Sequence, residues 1–214
     1  MDPRFWHDRW ETGRTNFHEG QPNAFLVDYI QTLNLPKGAR IFLPLCGKTR
    51  DIAWLLSQGF HVVGAELSAT AIDQLFADLD VTPDITQQGT LQHRSAPGLD
   101  IYVGDIFDLT PTALGQVDAT FDRAALVALP ADMRDRYAQH IVTLTQSAPQ
   151  LLVTFQYDEA LIQGPPFAIP ADQVKALYGD AYTLTRLARQ DTDGGLKGHP
   201  ATEELWHLIA APAP

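Results

Sequence analysis

The residues most able to do chemistry stand where short apolar runs end. Pro44-Leu-Cys-Gly-Lys48 follows the run Ile41-Phe-Leu43, and Glu66 closes the run Val62-Val-Gly-Ala65. Asp105 follows Leu99–Val103, and the pair Asp122-Arg123 follows Val117–Phe121. An acidic residue about twenty positions past a first strand–turn junction is the ribose-binding geometry of a nucleotide-binding βαβ unit. A carboxylate at such a strand end can accept from both ribose hydroxyls. The turn before it holds one glycine, Gly47, where a pyrophosphate cradle needs several. The pattern therefore fits a cofactor with a ribose and no pyrophosphate, as S-adenosylmethionine is.

Those positions need a scaffold that brings strand ends together. Apolar runs at 39–43, 61–65, 99–103, 117–121 and 151–157 alternate with helical spacing over 49–58, 69–79 and 132–145. Two further strands are expected at 182–188 and 205–210, and short helices at 5–12, 23–33 and 171–178. Ser68 is placed to cap the helix from Ala69. The Gln-rich stretch Thr82–Pro97 reads as a long loop or a hairpin. Strand–helix alternation implies a doubly wound α/β sheet, in which ligands sit beyond the carboxyl ends of the strands. Leu45-Cys-Gly47, Glu66, Asp105 and Asp122-Arg123 are thus expected on one edge.

Composition removes several classes. The chain has 214 residues, 45% hydrophobic and 19% charged, enough for one domain with a full core. A net charge of −11 argues against a nucleic-acid partner, which needs a basic face. A single cysteine, Cys46, excludes an internal disulfide and a cysteine-only metal site. Seven histidines stand without metal-ligand spacing, so no metal is expected. No apolar run reaches the ~18 residues of a membrane span, and the first residues do not read as a signal peptide. A cytoplasmic location, no membrane partner and a monomer are the default expectations.

The segments Phe5-Trp-His-Asp-Arg-Trp10, Asn16-Phe-His18, Phe42-Leu-Pro-Leu-Cys-Gly-Lys48, Val62-Val-Gly-Ala-Glu66, Asp105-Ile-Phe-Asp108, Phe121-Asp-Arg-Ala-Ala-Leu-Val-Ala128 and Gly164-Pro-Pro-Phe167 closely resemble the thiopurine S-methyltransferases. That family is a branch of the class I S-adenosylmethionine-dependent methyltransferases. The resemblance runs over most of the chain in the family's order. Its most specific segment is Pro44-Leu-Cys-Gly-Lys48, where other class I methyltransferases carry a Gly-x-Gly turn. It is least informative over Thr82–Pro97 and Asp191–Glu204.

The resemblance implies a single Rossmann-like domain over 1–214, with a helical lid over 1–35 and a mostly parallel, seven-stranded core over 36–214. It implies S-adenosyl-L-methionine as methyl donor and S-adenosyl-L-homocysteine as product. Trp10, Leu45, Glu66, Leu67, Asp105, Ile106 and Arg123 are its cofactor positions. Glu66 takes the ribose, Leu45 the methionine portion, Leu67 and Ile106 the two faces of the adenine, and Trp10 covers the donor with support from Trp6. Asp105 could accept from the adenine amine, while Asp108 reads as a turn or cap residue. Arg123 could also meet an anionic acceptor; a salt bridge to Asp122 or Asp51 is its plainer role. Phe17, Tyr157, Pro166 and Phe167 are candidates for an apolar acceptor slot, with His18 beside it. Cys46 reads as a buried structural thiol, since methyl transfer needs no enzyme nucleophile.

The expected reaction is in-line methyl transfer to the thiolate of an aromatic or heterocyclic thiol, without a general base. Alternatives are methylation of selenium or tellurium species in detoxification, a nicotinamide-dependent oxidoreductase, and a non-catalytic cofactor-binding sensor. The oxidoreductase would need the glycine-rich phosphate turn that Leu45-Cys-Gly-Lys48 does not supply.

Overall fold

The structure is a computed structural model and describes residues 3–15 and 18–212. Phe17, one of the expected slot residues, lies outside the described residues. The chain divides into two compact units, Met1–Thr120 and Phe121–Pro214, and each is taken by itself.

In the first unit, α1 (Pro3–Glu11) and α2 (Ala24–Tyr29) precede the first strand. Asn23 caps α2 by accepting from the Phe25 N–H at 3.1 Å. The helix expected over 23–33 tightens into a 3-10 turn at Ile30–Leu33, ending on Asn34 in the left-handed region. Then come β1 (Arg40–Pro44), α3 (Arg50–Ser57), β2 (His61–Glu66), α4 (Ala69–Asp78), β3 (Asp84–Gln88), β4 (Leu91–Ala96), β5 (Leu99–Val103) and α5 (Pro111–Leu114). The strand order is β3-β4-β5-β2-β1, with the first residues of β6 (Ala119–Asp122) beside β1. β1, β2 and β5 run parallel, with Pro44 opposite Ala65 and Glu66 opposite Val103. Their apolar stretches are buried on both faces, as parallel strands covered by helices must be.

The second unit holds α6 (Ala131–Thr145), β7 (Gln150–Tyr157), α7 (Ala171–Tyr178), β8 (Tyr182–Asp191) and β9 (Ala201–Ala210). β9 lies antiparallel between β7 and β8. β7 is buried from Gln150 to Phe155, in keeping with its run of Leu, Val and Phe.

The described strands number nine, not the expected seven. The two extra strands are the hairpin β3–β4 within Thr82–Pro97, which pairs antiparallel onto β5. Its loop is Gly89-Thr90, with Gly89 at φ 62, the positive φ that a two-residue hairpin turn takes. β3 is exposed along its whole length, so it is an edge strand with no apolar alternation to mark it in the sequence.

Gly64 sits in the middle of β2 because two neighbours occupy the space of a side chain. A Cβ there would meet Ile101 Cδ1 at 2.6 Å and Cys46 Sγ at 2.8 Å. Gly64→Ala should therefore overpack the sheet and destabilise the protein by about 1–3 kcal/mol. A urea midpoint lowered at unchanged slope would bear this out, and an unchanged midpoint would contradict it.

Candidate active site

Three parallel strands deliver the candidate cofactor residues of the first unit other than Trp10, which α1 carries. β1, β2 and β5 end side by side, and the Gly104 N–H donates to the Glu66 carbonyl at 2.9 Å. Leu45, Glu66-Leu67 and Asp105-Ile106 thus leave neighbouring strand ends. The chain turns sharply after β1: Leu45 has φ 46 and Gly47 φ 52. A leucine in the left-handed region stores roughly 1–3 kcal/mol of strain, which surrounding contacts must hold.

Glu66 supplies those contacts. It is 6% exposed, and its two carboxylate oxygens accept one backbone N–H each, Gly47 to Oε2 and Ser68 to Oε1, both at 2.8 Å. Ser68 also caps α4, its Oγ accepting from the Ala71 N–H. The carboxylate therefore ties the β1–α3 turn to the β2–α4 turn. Burial raises the Glu66 pKa above its usual value, while the N–H groups of Ser68, Gly47 and Leu67 and the nearby His7 pull it down.

Trp10 closes this turn from α1. It is 4% exposed, and a Cβ on Gly47 would lie 2.7 Å from its Cζ2. Gly47 is thus required twice, by its φ and by the indole against it. Trp6 stacks edge-on against Phe5, with centroids 5.1 Å apart. Leu67 is half-buried and Ile106 buried. Asp105 is exposed, and its Oδ1 caps the following 3-10 turn by accepting from the Phe107 N–H at 3.0 Å. Asp108 accepts from the Thr90 hydroxyl at 2.7 Å, a hairpin tie instead of a cap. Cys46 is buried against Gly64, and desolvation with Glu66 nearby pushes its thiol pKa well up, which suits packing and not nucleophilic attack.

These groups fit a nucleoside donor. A carboxylate offers about four acceptor positions. Glu66 accepts the Gly47 and Ser68 N–H groups on different oxygens, so these two bonds do not use up its acceptor positions. Leu67 and Ile106 offer apolar surface for a purine.

The second unit carries the other candidates. Arg123 is half-buried and precedes Ala124, whose φ of 63 marks a second strained turn. Asp122 builds that turn: its Oδ1 accepts from the Leu126 N–H at 3.1 Å and its Oδ2 from the Tyr137 hydroxyl at 2.7 Å. Asp51, in the first unit, accepts from the Asn23 N–H and the Thr49 hydroxyl, both at 2.7 Å. Tyr157, Pro166 and Phe167 do come together. The Tyr157 hydroxyl donates to the Pro166 carbonyl at 2.7 Å, and the Phe167 N–H donates to the Val127 carbonyl at 2.6 Å. Tyr157 also lines an open groove of about 700 Å³ with Arg189 and His199. His18 is half-buried. Among the described residues no group of His, Cys, Asp and Glu could hold a metal, and no helix is long and apolar enough to cross a membrane.

Sequence reading did not single out Gly47 as a partner of Glu66, or the Asp122–Tyr137 anchor. The lone glycine in a turn that otherwise resists positive φ was the available signal for the first.

The fold is that of the class I S-adenosylmethionine-dependent methyltransferases. A solved 1,6-didemethyltoxoflavin-N1-methyltransferase from Burkholderia thailandensis matches with a TM-score of 0.65 at 15% identity, over 97% of this chain and 87% of that one. The family model for thiopurine S-methyltransferase matches residues 1–207. A thiopurine S-methyltransferase of Xanthobacter autotrophicus is 57% identical over 99% of this chain and all of its own length. One of Gluconobacter oxydans is 49% identical over 97% of this chain and 95% of its own. The chain belongs to the thiopurine S-methyltransferase family, a bacterial-type member whose methyl donor is S-adenosyl-L-methionine.

Glu66→Gln keeps the side chain's shape but sets an amide NH2 against one of two N–H donors. Cofactor affinity should fall by about 1.5–3 kcal/mol by calorimetry; unchanged affinity would remove Glu66 from the site. Asp122 gives a pH signature. Burial raises its pKa from 3.8 to about 6 against the pull of the Leu126 N–H, the Tyr137 hydroxyl and the Ala125 N–H. The folded protein thus keeps a proton that the unfolded chain has lost. The stability of the protonated group is full below about pH 4 and is lost as pH rises through about 6. Asp122→Asn should remove this component, so melting curves should show the variant gaining on wild type by up to about 3 kcal/mol across that window. A constant difference across the window would contradict it.

Proposed function

We propose that this methyltransferase acts on aromatic or heterocyclic thiols, with the donor-binding residues in the first unit and the acceptor-binding residues in the second. The observation that carries the donor half is the Glu66 carboxylate held by Gly47 and Ser68 beneath Trp10. The relatives named thiopurine S-methyltransferase support the acceptor class.

S-adenosylmethionine, when bound, supplies a methyl group already activated by its sulfonium. Glu66 holds the ribose, Leu67 and Ile106 grip the adenine, Asp105 takes the adenine amine, and Leu45 meets the methionine portion. Trp10 excludes water, and its ring face favours a nearby cation by about 0.5–2 kcal/mol. The segment 1–35 serves as the donor's cap.

Tyr157, Pro166 and Phe167 bind a flat ring in the acceptor slot. Ordinary thiols titrate near pKa ~8.5 and delocalised heteroaromatic thiols lower, so much of the acceptor arrives ionised. Arg123 favours the anionic sulfur by charge. No side chain has to take a proton, and the residues' work is alignment and exclusion of water. The one cysteine, Cys46, free and buried, suits a reducing compartment such as the cytoplasm, and a monomer is part of this reading.

The test is product mass from labelled cofactor across a panel of aromatic thiols, aliphatic thiols, phenols and amines. S-methylation of the aromatic thiols is expected, and methylation confined to oxygen or nitrogen would overturn the reading. Arg123→Lys should lower kcat about tenfold with cofactor saturating, because the planar fork is lost. A wild-type kcat would exclude Arg123 from the acceptor.

A further inference from the structure

The Phe167 ring is held by more than its own backbone, and one hold comes from a residue outside the slot. Arg134, on α6, is 5% exposed. Its Nε donates to the Leu129 carbonyl at 2.9 Å, and its Nη1 donates to the Gln173 Oε1 on α7 at 3.0 Å. Its guanidinium carbon lies 5.2 Å from the centroid of the Phe167 ring. Leu129 ends the same 3-10 turn, Leu126–Ala128, whose Val127 carbonyl receives the Phe167 N–H. One buried side chain thus touches the turn after Arg123, the Pro-Pro-Phe loop and α7. The Phe167 ring also rests on Gly164, where a Cβ would collide with it.

Packing alone does not call for a cation here. Burying a guanidinium costs desolvation, and an apolar side chain of similar volume fills such a site at least as stably. Both of the hydrogen-bond acceptors above are neutral, and the one carboxylate that favours the cation, Glu159, is exposed, so its attraction is screened and small. What a planar, charged fork adds over an apolar side chain is direction: two donors fix its plane, and its face orients an aromatic ring.

We propose that Arg134 is a positioning residue of the acceptor slot, holding the Phe167 ring at a fixed attitude and so favouring flat aromatic acceptors over small ones. This rests on the aromatic-thiol reading of that slot. Arg134 does not touch the reacting atoms; it acts through Phe167.

The experiment measures KM and kcat for thiophenol and for mercaptoethanol, with cofactor saturating, in wild type, Arg134→Lys, Phe167→Leu and the double variant. Arg134→Lys should raise the thiophenol KM about fivefold, leave kcat within about twofold and leave the mercaptoethanol KM unchanged. In the Phe167→Leu background the same substitution should add nothing, because its route to the acceptor is gone. Melting curves accompany each variant. Should Arg134→Lys not fold, Gln173→Leu removes one of the fork's anchors and carries the same prediction at smaller size. Equal KM changes for both thiols, or full additivity with Phe167→Leu, would reduce Arg134 to a structural role and overturn the proposal. Wild-type protein that methylates neither thiol would overturn the acceptor reading itself, and the role of Arg134 with it.

Discussion

A buried carboxylate that accepts backbone N–H groups organises the strand-end turns of the first unit. Glu66 joins the turn after β1 to the turn after β2, and it does so 6% exposed, where an unsatisfied charge would be costly. The left-handed backbone at Leu45 and Gly47 persists because those bonds and the Trp10 indole over-determine it. The result is a turn without a phosphate cradle, beside a carboxylate with acceptor positions to spare. That combination suits a nucleoside donor with no phosphate, and it explains how a fold shared with dinucleotide enzymes is put to a different use.

The second unit repeats the device. Asp122 caps a turn through the Leu126 N–H and is itself fixed by Tyr137, and the neighbouring Ala124 carries the strain. In both places a carboxylate at a strand end fixes the turn that follows it, Glu66 through the N–H groups of Gly47 and Ser68 and Asp122 through the Leu126 N–H. The half-buried Arg123 stands in the second of these turns.

Much of this was legible in the chain. The parallel strands announced themselves as continuous apolar runs, and β1, β2 and β5 end side by side as expected. Glu66 was visible by spacing and by its flanking segment. The choice between a long loop and a hairpin over Thr82–Pro97 was not, because β3 is polar and exposed throughout and leaves no periodic trace. Nor was the double duty of Glu66, since its partners are backbone groups of Gly47 and Ser68, and a sequence does not display where an amide points. Arg134 falls in the helix expected over 132–145 and was not singled out there. Its burial and its contact with Phe167 depend on tertiary packing that no local pattern encodes.

The central claim is that Glu66 reads the ribose while holding the turn. Calorimetry of S-adenosylhomocysteine and its 2′-deoxy analogue, each against wild type and Glu66→Ala, tests it most directly. The account predicts that deleting the hydroxyl weakens binding to wild type by about 1.5–3 kcal/mol and has almost no effect on the variant. An equal loss in both proteins would contradict it, for the ribose would then be read by some other group.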